Sequence, residues 1–425
     1  MNRARTLEQQ SSSGPLRIIH VSPGYAPLVG GVERLLQAVS ERLVQRGHDV
    51  TVLTFNAATA HDFSLVGGAD LPSIEMLNGV RVIRVDPSGG TLKRIHEWSL
   101  RRRGGWRLSR RLFGEDMWPL WLPSGLSLLP HLARARADVI TSVSWHFGCS
   151  FWACPPRRLR RVPRVAIPIL HIEREWAQNP RYPRMLRDSD ATIVCTRAEA
   201  EFVEARGGQS ISIAGAGVDP DRFRRRDGAG IRARYGIGNR PVVGFVGRQD
   251  TLKGVPTLIE AMHTVWTYSP EAVLLLAGQS AHREPRVAAM IEALMPNDRA
   301  RVILIDDFGD ADGPSIMDAC DILALPSVEE SFGMVMIEAW ICGKPVIGGD
   351  IASTRCIIDP GMDGWLVKPF DAVELAAKIL DLFADPQKRA MFGERGRAKV
   401  LARYTWDRVT DAWATTFQKV VSTVR

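Results

Sequence analysis

The sequence predicts an α/β protein: two Rossmann-like, doubly wound parallel-sheet domains facing one another across a cleft. Three observations carry that expectation. The chain has 425 residues, enough for two to three domains at roughly 100–200 residues each. Short apolar runs alternate with segments of helical periodicity, as in repeated βα units. The alternation stops at a polar, charged segment, GVDPDRFRRRDGAGIRARYGIGNR (217–240), and then begins again.

The elements of the first half follow in order. LRIIHV (16–21) is an apolar run suited to a buried strand. A turn rich in Gly and Pro follows, SPGYAPLVGG. Val32, Leu35, Leu36, Val39, Leu43 and Val44 then recur at helical spacing, and Gly47 stops that helix. HDVTVLTF (48–55) reads as the second strand. Further strands are predicted at 80–85, 138–143, 164–169, 191–195 and 211–214, with helical patterns at about 122–136 and 197–206. The first domain is therefore 16–216, preceded by a polar arm (1–15) predicted to be disordered.

The second half repeats the scheme over 241–404. Strands are predicted at Val242–Val246, Val273–Ala277, Val302–Ile305, Ile322–Leu325 and Pro345–Ile347. Helices are predicted at 254–268, 286–295, 313–320 and 333–342. The segment between the domains, 217–240, reads as a linker with one short helix. The final stretch, 405–425, is amphipathic, with Val409, Trp413, Phe417, Val420 and Val421 on one face. It either packs on the second domain or crosses back to clasp the first. Ligands of such sheets bind beyond the carboxyl ends of the strands, so two facing edges would form a deep cleft.

Composition narrows the functional class. Apolar residues make up 45% and charged residues 24%, which excludes a disordered, collagen-like or disulfide-dense chain. No apolar run approaches the roughly 18 residues of a membrane span. The N-terminus has no apolar core of a secretory signal. The six cysteines (149, 154, 195, 320, 342, 356) form no CxxC, which predicts reduced thiols in a cytoplasmic protein. Cys149 and Cys154, the closest pair, are either small apolar fillers or a metal or disulfide pair.

Charge is uneven along the chain. Residues 1–226 hold 33 Lys and Arg against 21 Asp and Glu, and the rest hold 22 against 26. This points to an anionic partner for the first half. The densest stretch, KRIHEWSLRRRGGWRLSRR (93–111), has eight basic residues, one acid and two tryptophans. It either meets anionic headgroups at the inner membrane face or is the solvated face of an Arg-rich insertion. No nucleic-acid module accompanies the charge, so no nucleic-acid partner is expected.

Three segments carry candidate chemistry. VGFVGRQDTLKG (243–254) places Arg248 and Lys253 on the loop after a strand. Two cations there either neutralise a diphosphate or are ordinary surface charge. PSVEESFGMVMIEAW (326–340) places Glu330 before a helix and Glu338 within it. Eight residues at about 1.5 Å rise span roughly 12 Å. That suits one acid at each end of a ligand, with an anion at the Gly333 and Met334 amides. The alternative is an acid complementing the helix dipole and a surface glutamate. PLVGGVER (27–34) opens a helix with Gly30 and Gly31, which permit close backbone approach or form a plain tight turn. It is not the GxGxxG fingerprint.

Together, SPGYAPLVGGVER, GFVGRQDTLKG and EESFGMVMIEAWICGKPVIGGD resemble glycosyltransferase family 4. RMLRDSDATIVCTRAEAEFV, GAGVDPDRF and DACDILALPS extend the resemblance over about 16–424. It implies the GT-B fold and a retaining enzyme that uses a nucleotide sugar, most readily a UDP- or GDP-sugar. Arg248 and Lys253 match the pair that binds the donor diphosphate. Glu330 matches the acid on the sugar hydroxyls and Glu338 the acid on the ribose. Phe332, Gly333 and Met334 match the segment whose amides meet sugar and phosphate. Gly30 and Gly31 match the glycine loop near diphosphate and acceptor. His146 falls where the family often has a histidine near the donor sugar, or is a cleft-wall histidine without a chemical role. His171 and Glu173 follow the next strand, where an acceptor could be touched.

One departure is Asp306–Asp307, with Asp310 nearby, at a turn where many relatives carry glycine. That turn lies near the nucleobase in the family. No DxD-type metal motif stands in a suitable setting, so no metal and no cofactor is expected. The resemblance further implies a lipid-linked or glycan acceptor and a role in cell-surface polysaccharide or glycolipid synthesis. Other GT-B chemistry (a sugar-nucleotide epimerase or glycosyl phosphorylase) and a non-catalytic partner subunit are the alternatives.

Overall fold

A computed structural model describes residues 14–58, 69–86, 125–155, 161–309 and 311–424. The basic stretch 93–111, residues 1–13 of the predicted arm, Asp310 and the start of the 122–136 pattern lie outside the described residues.

The first half forms a sheet of eight strands: β1 (Arg17–Val21), β2 (Asp49–Phe55), β3 (Ile74–Leu77), β4 (Val80–Val85), β5 (Val139–Val143), β6 (Arg164–Ile167), β7 (Ala191–Val194) and β8 (Ile211–Ile213). Their spatial order is β3-β4-β2-β1-β5-β6-β7-β8. Every pairing is parallel except β3 with β4. The second half forms a parallel sheet of six: β9 (Val242–Val246), β10 (Val273–Gly278), β11 (Val302–Asp306), β12 (Ile322–Leu325), β13 (Val346–Gly349) and β14 (Gly364–Val367), ordered β11-β10-β9-β12-β13-β14. The central strands are apolar and buried along their length because helices cover both faces. The fold is the two-domain GT-B arrangement that the sequence predicts.

Five helices position the site and its frame: α1 (Gly31–Gln45), α2 (Arg197–Glu204), α3 (Val255–Tyr268), α4 (Met334–Ile341) and α5 (Trp406–Val424). α1 turns Leu35, Leu36, Val39 and Leu43 into the core. α3 buries Leu258, Ile259, Ala261, Met262, Val265 and Trp266, packs on the helix Ala372–Ala384, and leaves Glu260, His263, Thr264 and Thr267 exposed. α5 crosses back to the first domain and packs on α1, β7 and β8. Its predicted face, Val409, Trp413, Phe417, Val420 and Val421, is buried throughout. Trp413 and Phe417 close over His20 of β1, whose Nδ1 lies 2.8 Å from Thr141 Oγ1. Burial pushes the His20 pKa down to about 3.

The chain passes between the domains twice, side by side. Val218 N–H donates to Tyr404 O at 2.9 Å, and Trp406 N–H donates to Val218 O at 3.2 Å. A Cβ on Gly217 would stand 2.6 Å from Trp406 N, so only glycine lets the crossings run so close.

Several elements differ from the sequence reading. The 122–136 pattern gives a 3-10 turn (Leu126–Leu128) and one short helix (Leu129–Arg134). The 286–295 pattern ends at Glu292, and Pro296 starts a separate turn. The short helix inside 217–240, Gly228–Arg234, docks on the second domain, where Gly228 N–H donates to Asp318. Arg164, in the predicted strand 164–169, is a buried residue of β6. Cys149 and Cys154 are both buried and neither forms a disulfide. No helix among the described residues is long and apolar enough to cross a membrane.

Candidate active site

Between the domains, at the carboxyl ends of both sheets, lies a cavity of about 330 Å3. The first domain supplies Gly30, Gly31, Ile169 and His171 to its wall, and the second supplies Arg248, Lys253, Glu330, Phe332, Gly333 and Met334. Two helix N-termini therefore face each other across it. A Cβ on Gly31 would stand 3.8 Å from Met334 Sδ, which shows how close the two approach.

The second-domain side is charged. β9 ends at Val246, and the loop that follows turns back before α3. Asp250 organises that loop: its Oδ1 accepts from Lys253 N–H at 2.8 Å, and its Oδ2 lies 3.3 Å from Arg248 Nη1. Lys253 reaches across to the next loop, where Nζ donates to Glu330 Oε1 at 2.7 Å and approaches Glu329 O at 3.5 Å. Ser327 Oγ donates to the same Glu330 oxygen at 3.0 Å. A nearly buried carboxylate is tolerable here because a cation and a hydroxyl share it. An ammonium has three hydrogens, so Lys253 keeps donor capacity beyond these two partners.

α4 begins immediately after this loop. Gly333 caps it at φ +90°, a left-handed conformation that side chains with a Cβ rarely adopt. The amides of the first helical turn are then available to an anion. Gly254 plays a similar part ahead of α3 at φ +76°; a Cβ there would stand 2.1 Å from Pro326 O.

The first-domain side is mostly apolar. α1 is led by Gly30, and the Glu33 carboxylate folds back over that glycine, 2.2 Å from where a Cβ would sit. Burial raises the Glu33 pKa. His171 and Cys195 are titratable groups this side brings to the cavity, and His171 faces the charged side. The His171 pKa is lowered, first by burial and then by the Lys253 charge opposite. Its loop leaves β6 through Ile169 at φ +52° and is held by Glu199 of α2. That buried carboxylate accepts from the Leu170 and Cys195 amides, each at 2.8 Å, and burial raises its pKa to about 7.

Other sequence-predicted residues fall elsewhere. His146 does not line the cavity. It packs against Phe147, with Nε2 3.2 Å from Ser144 Oγ, and burial drives its pKa down to about 4. Glu173 is exposed, and partial desolvation raises its pKa. The Phe332 ring is buried edge-on against Tyr404, with centroids 5.4 Å apart, so its backbone is what it offers the cavity. Glu338 lines a separate cavity of about 190 Å3 and accepts from Arg34 Nη1 of α1 at 2.8 Å. The two acids of the 330/338 pair thus open into neighbouring spaces. Asp306 is engaged by Arg283, and Asp307 by Ser280 N–H and Oγ–H at 3.0 and 2.6 Å.

Sequence reasoning passed over Asp250, Glu199, Arg34, Arg174 and Glu329. Asp250 sits three residues before Lys253, a spacing suited to an Asx-type turn, and could have been found. Glu199 reaches the Cys195 amide only four residues away, whereas Arg34–Glu338 and Arg174–Glu329 join residues far apart in sequence and leave no local signal.

Comparison with known proteins agrees with this architecture. Residues 30–215 match the model of the glycosyl transferase 4-like domain, and residues 229–399 match that of glycosyl transferases group 1. D-inositol 3-phosphate glycosyltransferase 2 of Catenulispora acidiphila is 30% identical over 96% of this chain and 95% of its own. Among solved structures, sucrose-phosphate synthase from Thermosynechococcus elongatus superposes with a TM-score of 0.72 at 20% identity, covering 96% of this chain and 100% of that one. Anabaena HepE in complex with UDP-glucose gives 0.71 at 20% identity, covering 95% and 100%.

Proposed function

The chain belongs to glycosyltransferase family 4, and from that premise we propose that it moves a sugar from a nucleoside diphosphate to an acceptor hydroxyl with retention at the anomeric carbon. The observation that carries this reading is the Lys253–Glu330 pair, 2.7 Å apart, beside the α4 N-terminus and opposite His171. The anomeric C–O bond breaks, and the bonding electrons leave on the diphosphate. Arg248, Lys253 and the amides at Gly333 and Met334 stabilise that charge, usually the largest catalytic contribution. Glu330 orients the donor sugar and Lys253 together, and Glu338 receives the ribose once it exchanges Arg34. The acceptor enters along the His171 side, and a donor phosphate oxygen takes its proton as the new bond forms on the same face. Protein cations do the work of a divalent metal, so none is required.

UDP-glucose, the ligand of Anabaena HepE, is the first donor to test, with GDP-sugars second. The relative from Catenulispora acidiphila supplies a phosphorylated cyclitol as an acceptor to test beside lipid-linked and glycan acceptors. A role in cell-surface polysaccharide or glycolipid synthesis at the inner membrane face accords with the basic first half of the chain.

A thermal-shift screen against UDP, GDP, ADP, dTDP and their sugars, with and without Mg²⁺, tests the reading. Ligand at 100 times its dissociation constant adds about 2.7 kcal/mol of stability. A shift with one nucleotide that persists without Mg²⁺ is the expected result. No shift with any nucleotide in folded protein overturns it.

A further inference from the structure

We propose that Arg174 is a positioning residue. Acting through Glu329, it fixes the first-domain loop that carries His171 against the second-domain loop that carries Lys253 and Glu330. The inference rests on the reading above, in which those residues serve the acceptor and donor sides. Arg174 and His171 share one turn after β6, where Arg174 N–H donates to His171 O at 3.0 Å. The Arg174 guanidinium crosses to the other domain and forks onto the Glu329 carboxylate: Nη2 lies 3.0 Å from Oε1, and Nε meets Oε2. The Glu329 side chain is only 7% exposed. The same carboxylate lies 3.8 Å from His171 Nδ1. Its backbone oxygen is the second neighbour of Lys253 Nζ, at 3.5 Å. One residue thus touches the arginine, the acceptor-side histidine and the donor-side lysine, and it directly precedes Glu330.

The chemistry explains why arginine suits this place. A planar fork on a carboxylate fixes direction as well as distance, which a lysine cannot do. Without the guanidinium, the Glu329 carboxylate would be left nearly buried beside the Glu330 carboxylate. Lys253 Nζ already lies 3.5 Å from the Glu329 backbone oxygen, so Glu329 would compete with Glu330 for it. The donor-side geometry would then shift although no donor-side residue had changed.

The test uses the full chain with Arg174→Met, Glu329→Gln and the reversed pair Arg174→Glu/Glu329→Arg. UDP affinity is measured by calorimetry, and kcat and KM from UDP release with UDP-glucose as the probe. Amide exchange is followed at 169–173 and 328–332. Arg174→Met is expected to lower kcat about ten-fold or more, with KM and UDP affinity within about two-fold. Exchange should quicken in both loops together, and the reversed pair should recover part of both losses. An unchanged kcat, an exchange change confined to one loop, or a reversed pair no better than the worse single variant overturns the proposal. If wild-type protein neither binds nor turns over a sugar nucleotide, the glycosyl-transfer reading fails instead, and the exchange experiment still decides whether Arg174 couples the loops.

Discussion

The α1 and α4 N-termini meet across one cleft, yet they are furnished differently. α4 follows a loop whose Glu330 lies within 3.0 Å of both Ser327 of the same loop and Lys253, which reaches in from the loop before α3. At α1, apolar Val29, Val32 and Leu35 line the cavity, and Glu33 folds back over Gly30 ahead of the helix. Among the described residues lining the cleft, the lysine and arginine that an anion meets, Lys253 and Arg248, stand on the α4 side. The α1 side supplies shape and closeness, through two glycines that leave room for a partner. The same local device, a glycine-led helix start, therefore serves charge stabilisation in one domain and steric access in the other. What surrounds a helix N-terminus decides its use, more than the N-terminus itself.

The sharpest way to break this contrast is to remove charge from the α4 side. Glu330→Ala should abolish turnover while the far-ultraviolet circular dichroism spectrum is retained. Lys253→Ala should cost at least about 100-fold in kcat, the loss typical of one electrostatic contact in a transition state. Near-wild-type UDP release by either variant would mean that the charge difference between the two helix starts has no catalytic meaning.

A smaller effect separates the two glycines. Gly333 needs φ +90° and Gly31 does not, so Gly333→Ala should cost about 1–2 kcal/mol. Gly31→Ala meets only Met334 Sδ at 3.8 Å and should leave stability nearly unchanged. Urea midpoints for both variants check this. Equal losses would show that the two helix starts are constrained alike.

A pH-dependent effect concerns the α1 domain alone, through the α5 helix that seals it. His20 has a folded pKa near 3, below its ordinary value of 6.5. Between those values the unfolded chain binds the extra proton. Stability is therefore fully present above about pH 6.5 and falls as the pH drops towards 3, by at most about 1.4 kcal/mol per pH unit. Urea midpoints measured from pH 7 to 4 should show that slope, and His20→Gln should flatten it. A slope that survives in His20→Gln would assign the acid sensitivity to other groups.

These outcomes also bear on what the sequence could reveal. The central strands were legible because burial on both faces makes each an unbroken apolar run. β3 was not: its Ile74 and Met76 are exposed at a sheet edge, so no core-facing pattern exists to read. β14 has four residues after a tight turn, too few for a period. The helix Pro386–Arg403 was missed because Gly393 and Gly396 read as breakers. There they permit close packing, since a Cβ on Gly393 would stand 1.9 Å from Gly343 O and one on Gly396 2.0 Å from the Trp340 ring. In the site, Lys253 and Glu330 each sit in a recognisable local frame. Arg174 and Glu329 are 155 residues apart and carry no mark of their pairing, because only the closed approach of the two domains creates it.

The crossing of α5 onto the first sheet also governs how the protein is made. The face of β1, β7 and β8 that Trp413 and Phe417 cover is complete in the growing chain long before those residues exist. About 200 residues separate the two, or roughly 10–40 seconds at ordinary rates of synthesis. Throughout that interval an apolar surface with His20 at its centre stands open, and the first domain is the part of the nascent chain most in need of shelter. The helix that completes the first domain, Trp406–Val424, is thus made only after the whole second domain has been.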